Sequence, residues 1–355
     1  MRFDLDEQQR AFQGAVAEYL EAECPIARAL APHDRGGADL EIWRGLMALG
    51  LGGMMVPEEY GGLGLGLLDL AVVAEPVGRY AAPGPFFDHS LATAAIVMGG
   101  SEAQKARWLP LLASGEKRAT VALAEGESGW SPAQWSAASD DAFTGEKRFV
   151  LHADGADLFV VGLADGGVGL IEGGASGIAI APLPSTDAGR ALAHVTFAAT
   201  PIELLAEPVA GRLVDAGLIL LAADAFGGAS HCVEMAVAYA KEREQFGQPI
   251  GAFQAVKHQL ADMALTVEPS LGLYWYAAHA FDTDPQAAPE AAALAKAHIT
   301  ELYPRVARQM IEAHGGIGYT WEFGVHVWLK RALFDQAYLG MPRVHRARVA
   351  DLVGW

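Results

Sequence analysis

The stretch Val214–Glu244, VDAGLILLAADAFGGASHCVEMAVAYAKERE, decides how the rest of the chain is read. It is apolar for most of its length and contains no proline, and as one helix it would exceed about 40 Å at ~1.5 Å per residue. Helices of that length normally pack in bundles. Toward the C-terminus, Ala252–Phe281 (AFQAVKHQLADMALTVEPSLGLYWYAAHAF) and Glu290–His314 (EAAALAKAHITELYPRVARQMIEAH) each read as one further helix, and a shorter helix closes the chain.

Upstream of this block the period changes. RATVALAE, KRFVLHA, ADLFVVGLA, GVGLIEGG, GIAIAPLP and LAHVTFAAT, between Arg118 and Thr200, are short, alternating or β-branched, and separated by Gly, Asp or Pro. Strands at roughly ten-residue spacing without helical interludes predict an antiparallel sandwich or barrel. Further upstream the pattern is helical again. Phe12, Val16 and Leu20 share one face, LEIWRGLMALGLGG is a second helix stopped by its glycines, and a Pro- and Gly-marked loop feeds a third. Ser101 is placed to cap a fourth. The expected organisation is α+β and multidomain: 1–116 helical, 117–207 a middle antiparallel β-domain, and 208–355 a helical bundle.

Composition narrows the function. With 355 residues, 52% of them hydrophobic, the chain can bury a large interior. Against 25 Lys and Arg stand 43 Asp and Glu, a net charge of −18, which argues against a nucleic-acid partner and serves solubility. Cys24 and Cys232 are the two cysteines and neither sits at metal-ligand spacing, so no metal site and a reducing compartment are expected. The N-terminus lacks an apolar signal core. The longest apolar run, Ala216–Ala229, is too short for a membrane span and carries Asp224. A cytoplasmic location without membrane contact follows.

Several strings occur in a telling order: DEQQRAF, GLGGMMVPEEYGGLGLGLLDLAVVAE, GSEAQKARWLPLLASGE, ALAEG, GEKRFV, KEREQFGQPIGAFQAVKHQLADM and EAHGGIGYTWEFGVHVWLKRA. As a set they resemble the acyl-CoA dehydrogenase family over nearly the whole chain. The resemblance implies a helical N-terminal domain, a middle β-domain and a C-terminal four-helix bundle carrying FAD and oligomer contacts. It implies FAD as cofactor and an acyl-CoA thioester as substrate, with an electron-transfer flavoprotein among the compatible partners. Family members remove the α-proton with a Glu carboxylate while a hydride leaves the β-carbon for the flavin.

Two elements look like flavin contacts offered to a neighbouring subunit. The first is REQFGQPIGAFQ, with Arg243, Phe246 and Gln254; an Arg fork suits pyrophosphate oxygens, although an ion pair with Glu242 or Asp262 explains the same residue. The second is EAHGGIGY, with Glu312, Gly315, Gly316 and Gly318, whose glycines allow close backbone approach or a plain helix stop. Where the family usually has Gln, this chain has Glu312, which cannot donate a hydrogen bond unless protonated.

The positions for chemistry depart further. Ala124 stands where the family commonly has Thr or Ser, and Phe149, Val150 and Leu151 replace its Trp-x-Thr or Trp-x-Ser. FDQAYLGMPRV places Tyr338, Leu339, Gly340 and Met341 on the family's Tyr-Glu-Gly-Thr, so Leu339 occupies the position of the catalytic carboxylate. The alternative family position for a base, directly before an Arg on the first bundle helix, falls on Gly217 and Leu218. Neither hydrocarbon nor glycine accepts a proton. Other carboxylates have structural or solvated readings: Glu322, Glu244, and Asp335 one turn before Leu339.

The expected function is that of an acyl-CoA dehydrogenase-like flavoprotein subunit without its own catalytic Glu, completing the FAD site of a homologous catalytic subunit. It resembles partners in heterotetramers acting on CoA esters of lipid or steroid catabolism. The alternatives are a homo-oligomeric dehydrogenase in which the chain partners itself and uses an atypical base such as Asp335, a flavin monooxygenase of the same fold, and a purely structural subunit.

Overall fold

A computed structural model describes residues 4–35, 39–127, 129–138 and 142–355. The helices, in chain order, begin with α1 (Glu7–Glu23), α2 (Ile26–Arg35), α3 (Leu40–Ala48), α4 (Leu67–Arg79), α5 (Phe86–Gly99) and α6 (Glu102–Ala113). They resume with α7 (Ala210–Glu242), α8 (Gln254–Val267), α9 (Leu271–Thr283), α10 (Ala288–His314), α11 (His326–Ala337) and α12 (Pro342–Val353). Between the two helical blocks run β1 (Ala119–Ala122), β2 (Ala142–Leu151), β3 (Leu158–Gly162), β4 (Val168–Glu172), β5 (Ile178–Leu183), β6 (Leu192–Pro201) and β7 (Glu203–Leu204). A short hairpin, β8 (Glu244–Gln245) and β9 (Gln248–Pro249), follows α7.

The chain forms two compact units, each interleaved in sequence. The bundle unit comprises Met1–Asp34, Ala71–Ala82 and Leu218–Trp355, and the β-containing unit comprises Arg35–Leu70 and Pro83–Gly217.

In the bundle unit, α1 starts at a capping box: the Gln9 amide donates to Asp6 and the Asp6 amide donates back to the Gln9 side chain. The end of α4 crosses α7 at backbone contact. A methyl on Gly78 would overlap the Asp224 carbonyl, and one on Gly227 would overlap that of Glu75. Beside this crossing Arg331 of α11 is fully buried; it donates to Asp224 at 3.3 Å and to the carbonyls of Ala81 and Ala82 at 3.2 and 3.0 Å. By length and composition α7 could cross a membrane, yet its most apolar window is almost wholly buried, as for a core helix.

In the β-containing unit, α6 opens with the capping box that Ser101 announces, completed by Gln104. One sheet has the order β2-β6-β5 and is antiparallel; the other has the order β1-β3-β4-β7. The core between them gathers Phe143, Phe159 and Phe197, with ring centroids 5.2 and 5.9 Å apart, and Val150, Val161 and Val195.

Some expectations need correcting. The β1–β3 pair is parallel, because β2 leaves for the other sheet and lets the chain return in the same direction. Residues 252–281 are not one helix: the chain breaks at Glu268–Ser270, where Pro269 has no amide to give, and α8 and α9 result. Two additional helices appear in the N-terminal part, α2 before the one expected second and α5 before the one expected fourth, and two helices rather than one close the chain.

Candidate functional site

Three backbone strains mark the positions that matter. Among the described residues seven non-glycine residues have positive φ, and Phe149 (+57°), Phe246 (+56°) and Leu339 (+58°) are three of them. Bulky side chains rarely adopt this conformation, so each is held there by its surroundings.

The β8–β9 hairpin displays Phe246. Phe246 and Gly247 form its two-residue turn, both with positive φ, and the pairs Glu244–Pro249 and Gln245–Gln248 close it. The Phe246 ring is 94% exposed. Arg243 at the end of α7 and Gln254 at the start of α8 are exposed on either side of the hairpin. Nothing binds the Arg243 guanidinium to Glu242 or Asp262 at ion-pair distance among the described contacts.

The glycine element sits at the same end of the bundle unit. His314, the last residue of α10, stacks on Tyr239 of α7 at 4.4 Å, and Phe323 covers His314 at 5.2 Å. This stack brings the turn after Tyr239, with Arg243, beside the turn after His314. Gly315 has φ +63° and ψ −144°, a conformation reserved for glycine. Gly315 and Gly316 are exposed and a methyl on either meets nothing within 4 Å. Gly318 differs: it is buried, and a methyl would meet the Ile311 carbonyl at 2.6 Å, so its role is packing. Glu312 is exposed on the last turn of α10. An arginine, an exposed aromatic ring and two unobstructed glycines suit a phosphate-bearing, planar ligand such as the ADP half of FAD.

Leu339 stands at the other extreme. It follows α11, is 1% exposed, and is anchored from two sides. Lys296 of α10, fully buried, donates to the Asp335 carbonyl and at 3.2 Å to the Gln336 carbonyl, capping the last turn of α11. His345 of α12 donates from Nε2 to the Leu339 carbonyl at 3.0 Å. Burial pushes the Lys296 amine down to about 7, with Asp335 opposing. Burial, with Lys296 nearby, pushes His345 down to about 4, so the imidazole is neutral and Nε2–H is free to donate. The mount for a functional side chain is therefore intact, and it carries an isobutyl group. Asp335 lies fully buried inside the unit, Met341 is 40% exposed, and Glu322 and Glu244 are exposed.

In the β-containing unit, Gly217, Ala124, Val150 and Leu151 are buried, and Val150 belongs to the hydrophobic core. Leu218, in the bundle unit, is buried too. Glu125 gathers the segment that follows Ala124: it accepts from the Ser136 amide and hydroxyl at 2.7 Å and from the buried Lys147 at 2.6 Å. Burial pushes the Glu125 carboxyl up, but these donors outweigh it and hold the group below its usual range. The residues at the ring-holding positions supply no side-chain hydroxyl. They do not fit an isoalloxazine held as the family holds it.

Sequence reasoning missed Lys296 and His345. A signal for the first existed: Lys296 interrupts the stripe Ala292, Ile299, Tyr303 that α10 buries. A lysine there must find acceptors within the bundle.

Comparison with known proteins agrees with this architecture. Residues 6–116 match the model for the acyl-CoA dehydrogenase N-terminal domain and residues 208–354 that for the acyl-CoA dehydrogenase C-terminal domain. The chain belongs to the acyl-CoA dehydrogenase family. This is a family of FAD-dependent oxidoreductases. A relative among acyl-CoA dehydrogenases is IpdE2 of Mycolicibacterium smegmatis, 32% identical over 349 residues, spanning 97% of this chain and 98% of that protein. Solved structures with the same fold include a chain of the Tcur3481–Tcur3483 steroid ACAD, with 31% identity, TM-score 0.90 and 98% of each chain covered. Another is in the ChsE4–ChsE5 complex from Mycobacterium tuberculosis, with 26% identity, TM-score 0.89, and coverage of 100% of this chain and 99% of the other.

Proposed function

We propose that this acyl-CoA dehydrogenase chain is the subunit without a base in a heteromeric enzyme. It lends Arg243, Phe246, Gln254 and the Gly315–Gly316 turn to FAD bound by a homologous catalytic subunit. The observation that carries the reading is Leu339: the mount that should present a carboxylate holds a buried hydrocarbon, which cannot take a proton from the thioester's α-carbon. The alternative position is Gly217, which offers no side chain at all. FAD, when bound, supplies the hydride acceptor; this chain's residues bind and orient it. Arg243 would donate to pyrophosphate oxygens, exposed Phe246 would offer an apolar face, and the unobstructed backbone at Gly315 and Gly316 would let the phosphates come close, although the Gly315 N–H is already given to the Glu312 carbonyl. The likeness to a chain of a steroid ACAD and to one of a two-protein complex supports a bulky, alicyclic acyl-CoA as the substrate of the assembly. Placement in a reducing cytoplasm fits a chain with two cysteines, both buried.

The test is co-production. Alone, the chain is expected to show no acyl-CoA turnover. Copurified with its catalytic homologue, it is expected to yield a flavin-containing active assembly whose FAD affinity falls on Arg243→Ala. Turnover of an acyl-CoA by the isolated chain would refute the reading.

A further inference from the structure

We infer that the chain's own flavin-ring platform, in the β-containing unit, is filled from within by the indole of Trp130. Phe149 stands at the position where the family's flanking aromatic is expected, and its φ of +57° turns it out of the regular course of β2. Trp130 lies against it with ring centroids 5.8 Å apart and planes 26° from parallel, the geometry of an offset stack. The Arg148 guanidinium also contacts the Phe149 ring, at 5.4 Å. A planar ligand seeking this face competes with a planar side chain already on it.

The described residues on either side of Trp130 are tied to Glu125. Glu125 and Gly129 exchange both backbone hydrogen bonds, at 3.2 and 3.0 Å, immediately before Trp130. Downstream, the Glu125 carboxylate holds the Ser136 and Ala137 amides at 2.7 and 3.3 Å, and buried Lys147 pins that carboxylate. Both ends of the segment are thus tied to one residue. Beneath it, Ala124, Val150 and Leu151 are fully buried and none carries a donor for a flavin carbonyl or nitrogen. The missing donors leave stacking on Phe149 as the attraction this platform offers a flavin ring, and Trp130 already takes that face.

This inference builds on the reading that the chain's flavin contacts serve a partner, but its test is separate. Lumiflavin, the isoalloxazine without ribityl phosphate or adenosine, has nothing for Arg243 or the glycine turn to bind. The intact chain is titrated with lumiflavin and the quenching of flavin fluorescence is followed. The unsubstituted chain should show no saturable quenching. Trp130→Ala and Trp130→Leu should open the face and give saturable quenching, a gain of up to about tenfold, the worth of one aromatic pair. Trp130→Phe should behave like the unsubstituted chain, and Trp130→Ala with Phe149→Ala should lose the gain. Near-UV circular dichroism checks that each variant is folded. Saturable binding by the unsubstituted chain, as tight as by Trp130→Leu, would overturn the inference whatever the variants do; so would folded open variants that bind nothing. Loss of FAD from the mixed assembly on Arg243→Ala, or its retention, bears only on the in-trans reading and leaves this result standing.

Discussion

Two ends of the bundle unit have been treated differently. Where α7 and α10 finish, Arg243, Phe246, Gln254, Gly315 and Gly316 face outward, with an aromatic ring almost wholly in solvent and glycines that leave room for a ligand. Where α11 finishes, Lys296 and His345 grip the turn as firmly as any active site requires, around a side chain with no chemistry. An exposed ring and a solvated guanidinium add little to the fold's own stability. A buried leucine in a strained turn costs conformational energy but gains packing. Outward features therefore point to a ligand or partner, and the inward one to a place where packing has replaced reaction.

The largest expected effect separates these ends by stability. Leu339→Ala removes a buried side chain from a gripped turn and should cost about 2–5 kcal/mol in urea unfolding, without altering which flavin contacts the chain offers. Arg243→Ala should do the reverse. Charge-assisted hydrogen bonds are worth ~1.5–3 kcal/mol, so FAD affinity of the mixed assembly should fall roughly 10–100-fold, while the chain's own stability moves by less than about 0.5 kcal/mol. If both variants changed stability and flavin content together, the division between the two ends would fail.

A finer comparison lies within the glycine turn. Gly315→Ala forces a methyl residue into a glycine-only conformation and should cost ~1–3 kcal/mol. Gly316→Ala, with ordinary φ and open space, should change thermal stability little. Equal effects would mean that the turn is not held in its present form.

A further comparison is a slope with pH. Lys296 titrates near 7 when folded and near 10.5 when unfolded. From about pH 7 to pH 10 the unfolded chain keeps a proton that the folded chain has shed, so this group's contribution to stability rises with pH across that window. Below it the cost of burying the ammonium is fully present. Lys296→Met should flatten the rise in unfolding midpoint.

Local chemistry was the legible part of the chain. The Ser101 cap, the short aromatic and β-branched run Phe159–Val161, and the glycines after His314 each announce their structure within a few residues. So did the hydrocarbon at 339, although only the resemblance gave that position a meaning. What stayed hidden depends on partners distant in sequence. The parallel pairing of β1 with β3 is a matter of which sheet β2 joins. The contact of Trp130 with Phe149 depends on how the Glu125 segment folds back. The break at Pro269 was visible as a residue, but the apolar period on both sides continues through it and masked the boundary. Lys296 breaks the buried stripe of α10, but its acceptors, the carbonyls of a helix some forty residues on, cannot be read from the sequence.

The glycines at 78 and 227 have a further consequence. Their helices touch spine to spine, leaving not even one carbon's clearance. A lineage built on this chassis can trade one reacting group for another at the rim, since a turn gripped through its carbonyls is indifferent to what it displays. It cannot enlarge the joint. Efforts to endow this protein with an activity of its own should leave those two glycines untouched and spend their variation on the turn that α11 presents.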